Sequence, residues 1–267
     1  MSAVAGALHD GWVVTKRNLI KIKRIPDLLI FSSIQPIMFV LLFAYVFGGA
    51  IKIPGVNYKE YLMAGIFTQS VAFGSSLAAI GLADDLSKGI VDRFRSLPMS
   101  RAAVLIGRTT SDLLNNVLVV LIMAMCGLLV GWRVHTGPLG AAAGFGLLFL
   151  FGYAMSWISA LIGLSVRSVE VAQSAGFIWL FPMTFLSNAF VSTDSLPRWL
   201  QPVADWNPIS SIVLALRDLW GNAPDGFARG SGFPARHPVL LALAWVAGIL
   251  VVFAPLAIAR YRRVTTR

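Results

Sequence analysis

The chain has 267 residues, of which 57% are hydrophobic and 13% are charged, and its mean hydropathy is +0.76. A soluble domain of this length carries about a quarter charged residues, so the composition excludes an ordinary globular protein and indicates a polytopic membrane protein. The net charge of +10 does not indicate nucleic-acid binding, because the basic residues lie at the ends of apolar segments, where membrane topology places them.

The N-terminal segment is polar and basic. No apolar core segment interrupts it, so we expect no cleavable signal peptide. Apolar residues of 8–27 recur near one helical face and basic residues surround them, which predicts an amphipathic helix in the membrane interface with Trp12 as its anchor. A frayed cytoplasmic tail is the alternative. Pro26 ends this helix.

Six apolar segments of about 20 residues follow, each long enough to cross a hydrocarbon core of about 30 Å. They cover 28–50, 60–83, 110–131, 141–166, 171–191 and 238–259. One side of the resulting topology carries 15 of the Lys and Arg residues and the other side carries 7. The positive-inside rule therefore predicts that both termini are cytoplasmic. The predicted organisation is a connecting helix over 1–27, a transmembrane domain over 28–259 and a basic tail over 260–267.

The connector between the second and third spans, residues 84–112, is rich in charge and lies on the predicted cytoplasmic side. Leu86, Ile90, Phe94 and Leu97 recur at helical spacing, so the connector is predicted to contain an amphipathic helix. Pro98 is expected to end it, and Ser100 is placed to cap a second helix that begins at Arg101. Such a helix is either a docking surface or a solvated connector.

Small residues cluster in the fourth span at four-residue spacing. Two rows are present, Gly152, Ser156 and Ala160 in one and Ser159 and Gly163 in the other. Such rows allow helices to approach closely, and they favour packing within the chain over a dimer interface. The single cysteine, Cys126, excludes a disulfide within one chain.

The segment between the fifth and sixth spans, residues 182–220, mixes apolar residues with several prolines and with Trp199, Trp206 and Trp220. This pattern cannot form a lipid-exposed span. It suits short re-entrant helices in the outer half of the membrane, with an ordinary external loop as the alternative. Residues 221–237 are expected to form a true extracellular loop.

The sequence lacks the chemistry of a self-powered transporter or an enzyme. The central portions of the predicted spans contain no ionisable residue, and His9, His135 and His237 lie in separate flanks and loops. No glycine-rich phosphate-binding loop is present. We therefore expect neither enzyme activity nor a metal or cofactor site in this chain, and any uphill transport must take its energy from a partner.

The polar residues within the spans are neutral. They are Gln35, Gln69, Asn115, Asn116, Gln173 and Asn188. Hydrogen bonding between helices is their most ordinary role. Aromatic surface comes from Phe39, Phe43, Phe67, Phe73, Phe177, Phe181 and Phe185. If some of these rings line a cavity, they suit a large amphipathic or aromatic solute.

Two motifs give the chain a resemblance to the type 2 permease subunits of ABC exporters, in particular the daunorubicin and doxorubicin resistance kind. The first motif comprises Gly89, Arg93, Leu97, Pro98, Ser100, Arg101, Leu105 and Gly107. The second runs from Phe185 to Ser210 and includes Pro197, Trp199, Asn207 and Pro208. The resemblance covers about residues 10–262. The chain departs from the pattern near Ser192, where a second proline is often seen, and in a longer loop over 221–237.

The resemblance implies a six-span, all-α permease that pairs with a second permease copy, expected to be identical, and with two copies of a separate ABC ATPase that holds ATP and Mg. It identifies the connector helix as the ATPase-coupling helix, with Leu86, Gly89, Ile90, Arg93, Phe94, Leu97 and Pro98 as its residues. It also implies that the second and fifth spans line the substrate path, through Phe67, Gln69, Phe73, Phe177, Phe181 and Phe185.

The function expected from these observations is export of a hydrophobic or amphipathic compound, such as a drug, antibiotic or lipid, across the bacterial plasma membrane. An exporter of polysaccharide or teichoic acid is the nearest alternative, since aromatic rings lining a channel also bind sugars. A membrane assembly protein without transport activity is the alternative from another class. Membrane lipid is an expected partner and nucleic acid is not.

Overall fold

The computed structural model describes residues 26–47, 57–89, 101–190, 192–223 and 232–264. Regular structure within these ranges is entirely helical, as the composition predicts. The N-terminal amphipathic helix and most of the predicted connector helix lie outside the described residues.

Ten α-helices occur within the described ranges. They are α1 (Pro26–Leu41), α2 (Tyr58–Gly74), α3 (Ser76–Ser87), α4 (Arg101–Val130), α5 (Gly137–Gly163), α6 (Val169–Phe185), α7 (Gln201–Asp205), α8 (Pro208–Trp220), α9 (Phe233–Arg236) and α10 (Pro238–Val264). A π-helical segment, Leu42–Phe47, continues α1, and a 3₁₀ turn covers Thr193–Ser195.

Four of the described helical segments are long and apolar enough to cross a membrane. They are Tyr58–Ser87, Val104–Val130, Gly137–Gly163 and Pro238–Val264, and they coincide with the predicted second, third, fourth and sixth spans. The first of them comprises α2 and α3, which are separated by a break at Ser75. The chain is therefore a multi-pass integral membrane protein.

The helix ends follow local sequence signals. The Asn57 side chain accepts a hydrogen bond from the backbone N–H of Lys59 at the start of α2, and Ser168 accepts one from Val171 at the start of α6. Gly221 ends α8 with a φ of 70°, a conformation that glycine adopts without a steric penalty. The segment before the last span contains short helices, as its prolines predict.

Helix α6 ends at Phe185, whereas the fifth apolar segment extends to 191. The cause lies in Asn207, whose Nδ2 donates to the carbonyls of Met183 at 2.7 Å and Leu186 at 3.3 Å. The Oδ1 of the same side chain accepts from the backbone N–H of Ile209 at 2.8 Å, at the start of α8. One asparagine therefore caps the end of one helix and the beginning of another.

Helix α5 lies at the centre of the fold and packs against α2, α3, α4, α8 and α10. Its small residues form the closest contacts. A Cβ placed on Gly163 would lie 2.5 Å from the backbone oxygen of Ala79 in α3. One turn earlier on α5, Ser159 Oγ lies 3.5 Å from Ser75 Oγ. The small-residue rows therefore serve packing within the chain.

We predict that Gly163→Ala lowers the free energy of unfolding by about 1–3 kcal/mol, because the added methyl meets backbone atoms of α3 that cannot move aside cheaply. The change is measured as the thermal midpoint in detergent, with the folded fraction after heating read by size-exclusion chromatography. Gly146→Ala, on the same helix but facing open space, is the control and should leave the midpoint unchanged. Equal midpoints for both variants would contradict the packing assignment.

Candidate functional site

A cavity of about 210 Å³ lies between α1, α2, α3, α4 and α6. It is lined by five of the six neutral amides found in the predicted spans, namely Gln35, Gln69, Asn115, Asn116 and Gln173. No described residue that lines the cavity is ionisable. We refer to it as the carboxamide cavity. Hydrogen bonding between two neighbouring helices needs amides on those two helices alone. Here the amides of four helices face one cavity, which indicates a binding site.

Asn116 is the most deeply placed of the five amides. Its side chain is 3% exposed, and its Nδ2 has no hydrogen-bond partner among the described residues. Its Oδ1 lies where a Cβ on Gly74 would be, so only a glycine at that position of α2 accommodates it. A buried amide donor without a partner costs free energy unless a water or a ligand completes its bond. Asn116 therefore lines the carboxamide cavity with a buried amide whose Nδ2 has no partner among the described residues.

Aromatic rings continue from the cavity along α6. The Phe73 and Phe177 rings both line the cavity and lie 5.6 Å apart between centroids, and Phe181 lies 6.3 Å from Phe73. Phe181 then stacks on Phe185 at 4.7 Å. The three rings of α6 are spaced four residues apart and are 43–51% exposed, so they form an outward-facing aromatic stripe.

The stripe returns toward α1 through Phe190. This ring lies 5.9 Å from Phe185 and 4.8 Å from Phe43, and Phe43 stacks on Phe39 at 5.8 Å. Phe39 itself lines the carboxamide cavity. The resulting series, which we call the phenylalanine track, comprises Phe177, Phe73, Phe181, Phe185, Phe190, Phe43 and Phe39. The track therefore links α6 to α1.

The residues expected along the substrate path separate into two groups. Gln69, Phe73 and Phe177 line the carboxamide cavity, and Phe181 and Phe185 extend the phenylalanine track. The sixth residue, Phe67, does not join them.

Phe67 is fully buried, and its ring lies within about 6 Å of the rings of Trp132, Phe145 and Trp220. It does not line the cavity and packs instead into the apolar core. The resemblance assigns the second span as a whole to the substrate path, which is why Phe67 was grouped with Phe73.

Of the expected coupling residues, the structure describes Leu86 and Gly89. Leu86 is half-buried and packs against the apolar cluster of Leu82, Leu105, Trp157 and Tyr261. Gly89 has a φ of 63° and ends the turn that follows α3. The others, Ile90, Arg93, Phe94, Leu97 and Pro98, lie outside the described residues.

A buried ion pair on α4 was missed by the sequence reasoning, which assigned Asp112 to the end of the charged connector. Helix α4 is continuous from Arg101, and Asp112 is buried within it. Arg108 Nε lies 3.3 Å from Asp112 Oδ2, and Arg108 Nη2 donates to the backbone oxygen of Leu77 in α3 at 3.0 Å. The spacing of Arg108, Asp112 and Asn116, each four residues from the next, was the available signal.

A second missed residue is Arg217 of α8, which is 2% exposed. Its Nε donates to the Tyr61 carbonyl at 3.1 Å, and its Nη2 donates to the carbonyls of Asn188 at 3.0 Å and Ala189 at 3.3 Å. The guanidinium also lies 3.4 Å from the centre of the Tyr61 ring. An arginine that follows the apolar run 212–216 of α8 was the signal. Arg217 binds the chain that follows α6 to α2.

The sequence profile of the ABC-2 type transporter family matches residues 10–219. Three relatives are similar over most of the chain. The daunorubicin resistance ABC transporter permease protein DrrB1 of Streptomyces coeruleorubidus is 33% identical over 261 residues, covering 98% of this chain and 87% of the relative. The probable doxorubicin resistance ABC transporter permease protein DrrC of Mycobacterium tuberculosis is 28% identical, covering 94% and 88%. The putative transport permease ycf38 of Cyanophora paradoxa is 25% identical, covering 81% and 76%.

We predict that Arg217→Lys lowers the free energy of unfolding by about 1–3 kcal/mol, because a single ammonium cannot reach all three carbonyls that the guanidinium binds. The thermal midpoint in detergent measures the loss. Arg198→Lys, the same change at an exposed position, is the control and should alter stability by less than about 0.5 kcal/mol. Equal thermal midpoints for the two variants would show that Arg217 does not stabilise the contact between α2 and the chain that follows α6.

Proposed function

This chain belongs to the ABC-2 type transporter family, and from that premise we propose that it is the permease subunit of an ATP-driven exporter that moves a hydrophobic or amphipathic compound out of a bacterial cell. Its relatives are permease subunits and not enzymes, so ATP hydrolysis is assigned to a separate ABC ATPase, present in two copies and holding ATP and Mg. A second, identical permease completes the transporter.

The observation that carries the proposal is the combination of the carboxamide cavity with the phenylalanine track. Carboxamides both donate and accept hydrogen bonds, and the rings supply flat apolar surface. A compound with a fused aromatic body and several hydroxyl or carbonyl groups satisfies both. Since no described residue lining the cavity is ionisable, recognition does not depend on an ion pair.

The size of the cavity supports a second permease copy. Pockets for drug-sized ligands measure about 300–1,000 Å³, so a cavity of about 210 Å³ holds only part of such a ligand. The exposed rings Phe177, Phe181 and Phe185 lie beside it and offer a wall for the remainder. A homodimer that brings two such walls together would enclose a complete path.

The proposed topology has six spans with both termini in the cytoplasm. The four long helices supply four of them, α1 with its π-helical continuation supplies the first, and α6 supplies the fifth. The short helices α7 and α8 lie between the last two spans, which fits re-entrant segments in the outer half of the membrane.

The ATPase is proposed to dock on residues 86–98. Helix α3 leads into this segment and α4 leads out of it, so a force applied there reaches two helices that line the carboxamide cavity. Leu86 anchors the near end to the apolar cluster of the chain. Phe94 and Leu97 are assigned the contact with the ATPase, and Arg93 the pairing with its acidic residues.

Export of a glycan is the competing proposal, and the phenylalanine track is the feature that favours it, because sugar rings stack on aromatic faces. The carboxamide cavity favours a compact amphipathic compound instead, since both ends of the track, Phe177 and Phe39, line this one cavity of about 210 Å³. Deletion of the gene separates the two possibilities: loss of resistance to amphipathic drugs supports the leading proposal, and loss of surface glycan supports its competitor.

We predict that Phe177→Ala raises the half-saturating concentration for ATP-dependent transport of an amphipathic dye by about tenfold, because one ring contact contributes about 1–1.5 kcal/mol. Dye uptake into inverted membrane vesicles measures it. Ile178→Ala, on the adjoining position of α6 but outside the cavity, is the control. An unchanged half-saturating concentration in Phe177→Ala would remove the cavity from the substrate path.

We predict that replacing Arg93 and Phe94 together by Ala uncouples ATP hydrolysis from transport while leaving membrane insertion intact. The paired change removes both the charge and the apolar anchor assigned to the ATPase contact. ATPase activity and dye uptake measured on the same vesicles test this. Arg167→Ala is the control, since Arg167 is exposed and lies outside residues 86–98. Coupled transport in the double variant would overturn the docking assignment.

A further inference from the structure

Helix α4 presents a row of polar side chains to α2 and α3. The row consists of Arg108, Asp112 and Asn116, which are spaced four residues apart and so share one helical face. Two glycines, one on α2 and one on α3, lie against this row. The Arg108 guanidinium occupies the position that a Cβ on Gly81 would take, and the Asn116 amide occupies the corresponding position on Gly74. We call these five residues the polar ladder.

The charges of the polar ladder are satisfied within α4. Arg108 Nε lies 3.3 Å from Asp112 Oδ2, and both side chains are largely withdrawn from solvent. Two described contacts join this pair to α3. Arg108 Nη2 donates a hydrogen bond to the Leu77 carbonyl at 3.0 Å, and the guanidinium packs over Gly81. This hydrogen bond is a polar link between α3 and α4, beside the apolar contacts of Leu82 and Leu86 with Leu105.

The polar ladder connects the two regions that the proposed function assigns to substrate and to ATPase. At one end, Asn116, Gly74 and Leu77 line the carboxamide cavity. At the other end, α3 and α4 are the helices on either side of residues 90–100. A single turn residue, Ser75, separates α3 from α2.

We propose that Arg108 is a positioning residue that holds α3 in register on α4 and thereby transmits occupancy of the carboxamide cavity to the end of α3. The proposal rests on the assignment of the cavity as the substrate site. A ligand beside Leu77 and Asn116 alters the spacing of the two helices at the hydrogen bond that Arg108 makes. The displacement of α3 then appears at Ser87, its last residue.

The test uses the full-length chain in lipid nanodiscs, with Cys126→Ala to remove the native thiol and Ser87→Cys to attach bimane. Ser87 is exposed, so the label reports on the end of α3 without entering the core. Rhodamine 6G, a planar amphipathic dye, serves as the probe. Its binding is measured independently by fluorescence polarisation. In the parent protein, the bimane emission shift should saturate at the same dye concentration as binding does.

Two variants disconnect Arg108 from α3 in different ways. Gly81→Ala pushes the flexible tip of Arg108 away while keeping both charges, and Arg108→Lys keeps the pair with Asp112 but loses the donor to Leu77. Both should bind the dye within about twofold of the parent affinity and show less than about a fifth of its bimane shift. Gly146→Ala, which faces open space, should retain the full shift.

The outcomes separate this inference from the proposed function. A full bimane shift in both variants, or dye binding without a shift in the parent, overturns the role of Arg108 while leaving the cavity as a binding site. If both variants lose dye affinity and the bimane shift to the same degree, the role of Arg108 is also overturned. That result is expected of a residue that only maintains the structure. Failure of the parent protein to bind dye overturns the cavity assignment itself, and the inference with it.

Discussion

The close approach of α5 to α2 and α3 is the contact on which the rest of the structure depends. Gly163 lies against the backbone of Ala79, Ser159 lies near Ser75, and Gly152 lies against Val71, so the two segments touch along most of their length. In hydrocarbon, association between helices relies on van der Waals contact and not on exclusion of water, and only small residues bring two backbones this near. With one face of α2 and α3 held by α5, their opposite face is left to form a wall of the carboxamide cavity.

Polar groups within this apolar fold are fastened to backbone oxygens. Arg217 binds three carbonyls at one end of the molecule, and Arg108 binds one carbonyl as well as Asp112 toward the other end. Such groups are expensive to bury, so their positions indicate where the structure tolerates little change. Nδ2 of Asn116 and Nη1 of Arg217 are both buried without a hydrogen-bond partner among the described residues, so neither site satisfies every polar atom that it buries.

Hydropathy and charge predicted the membrane class and the approximate positions of the long helices, because both depend on composition over many residues, whereas the resemblance to a permease family rested on two motifs. The convergence of Gln35, Gln69, Asn115, Asn116 and Gln173 could not be predicted, since the rotation of each helix about its axis leaves no trace in its average hydropathy. The resemblance grouped Phe67 with Phe73 because it assigns a whole span, and not one face of it, to the substrate path. The end of α6 was missed because the capping group, Asn207, comes from more than 20 residues later in the chain.

The double cap made by Asn207 has a consequence for synthesis. A nascent chain that has been released only as far as Trp206 contains all of α6, yet the carbonyls of Met183 and Leu186 still lack the donor that covers them. The same residue must arrive before α8 has its first-turn acceptor. The end of α6 and the start of α8 are therefore coupled through a residue that is synthesised more than 20 residues after Met183.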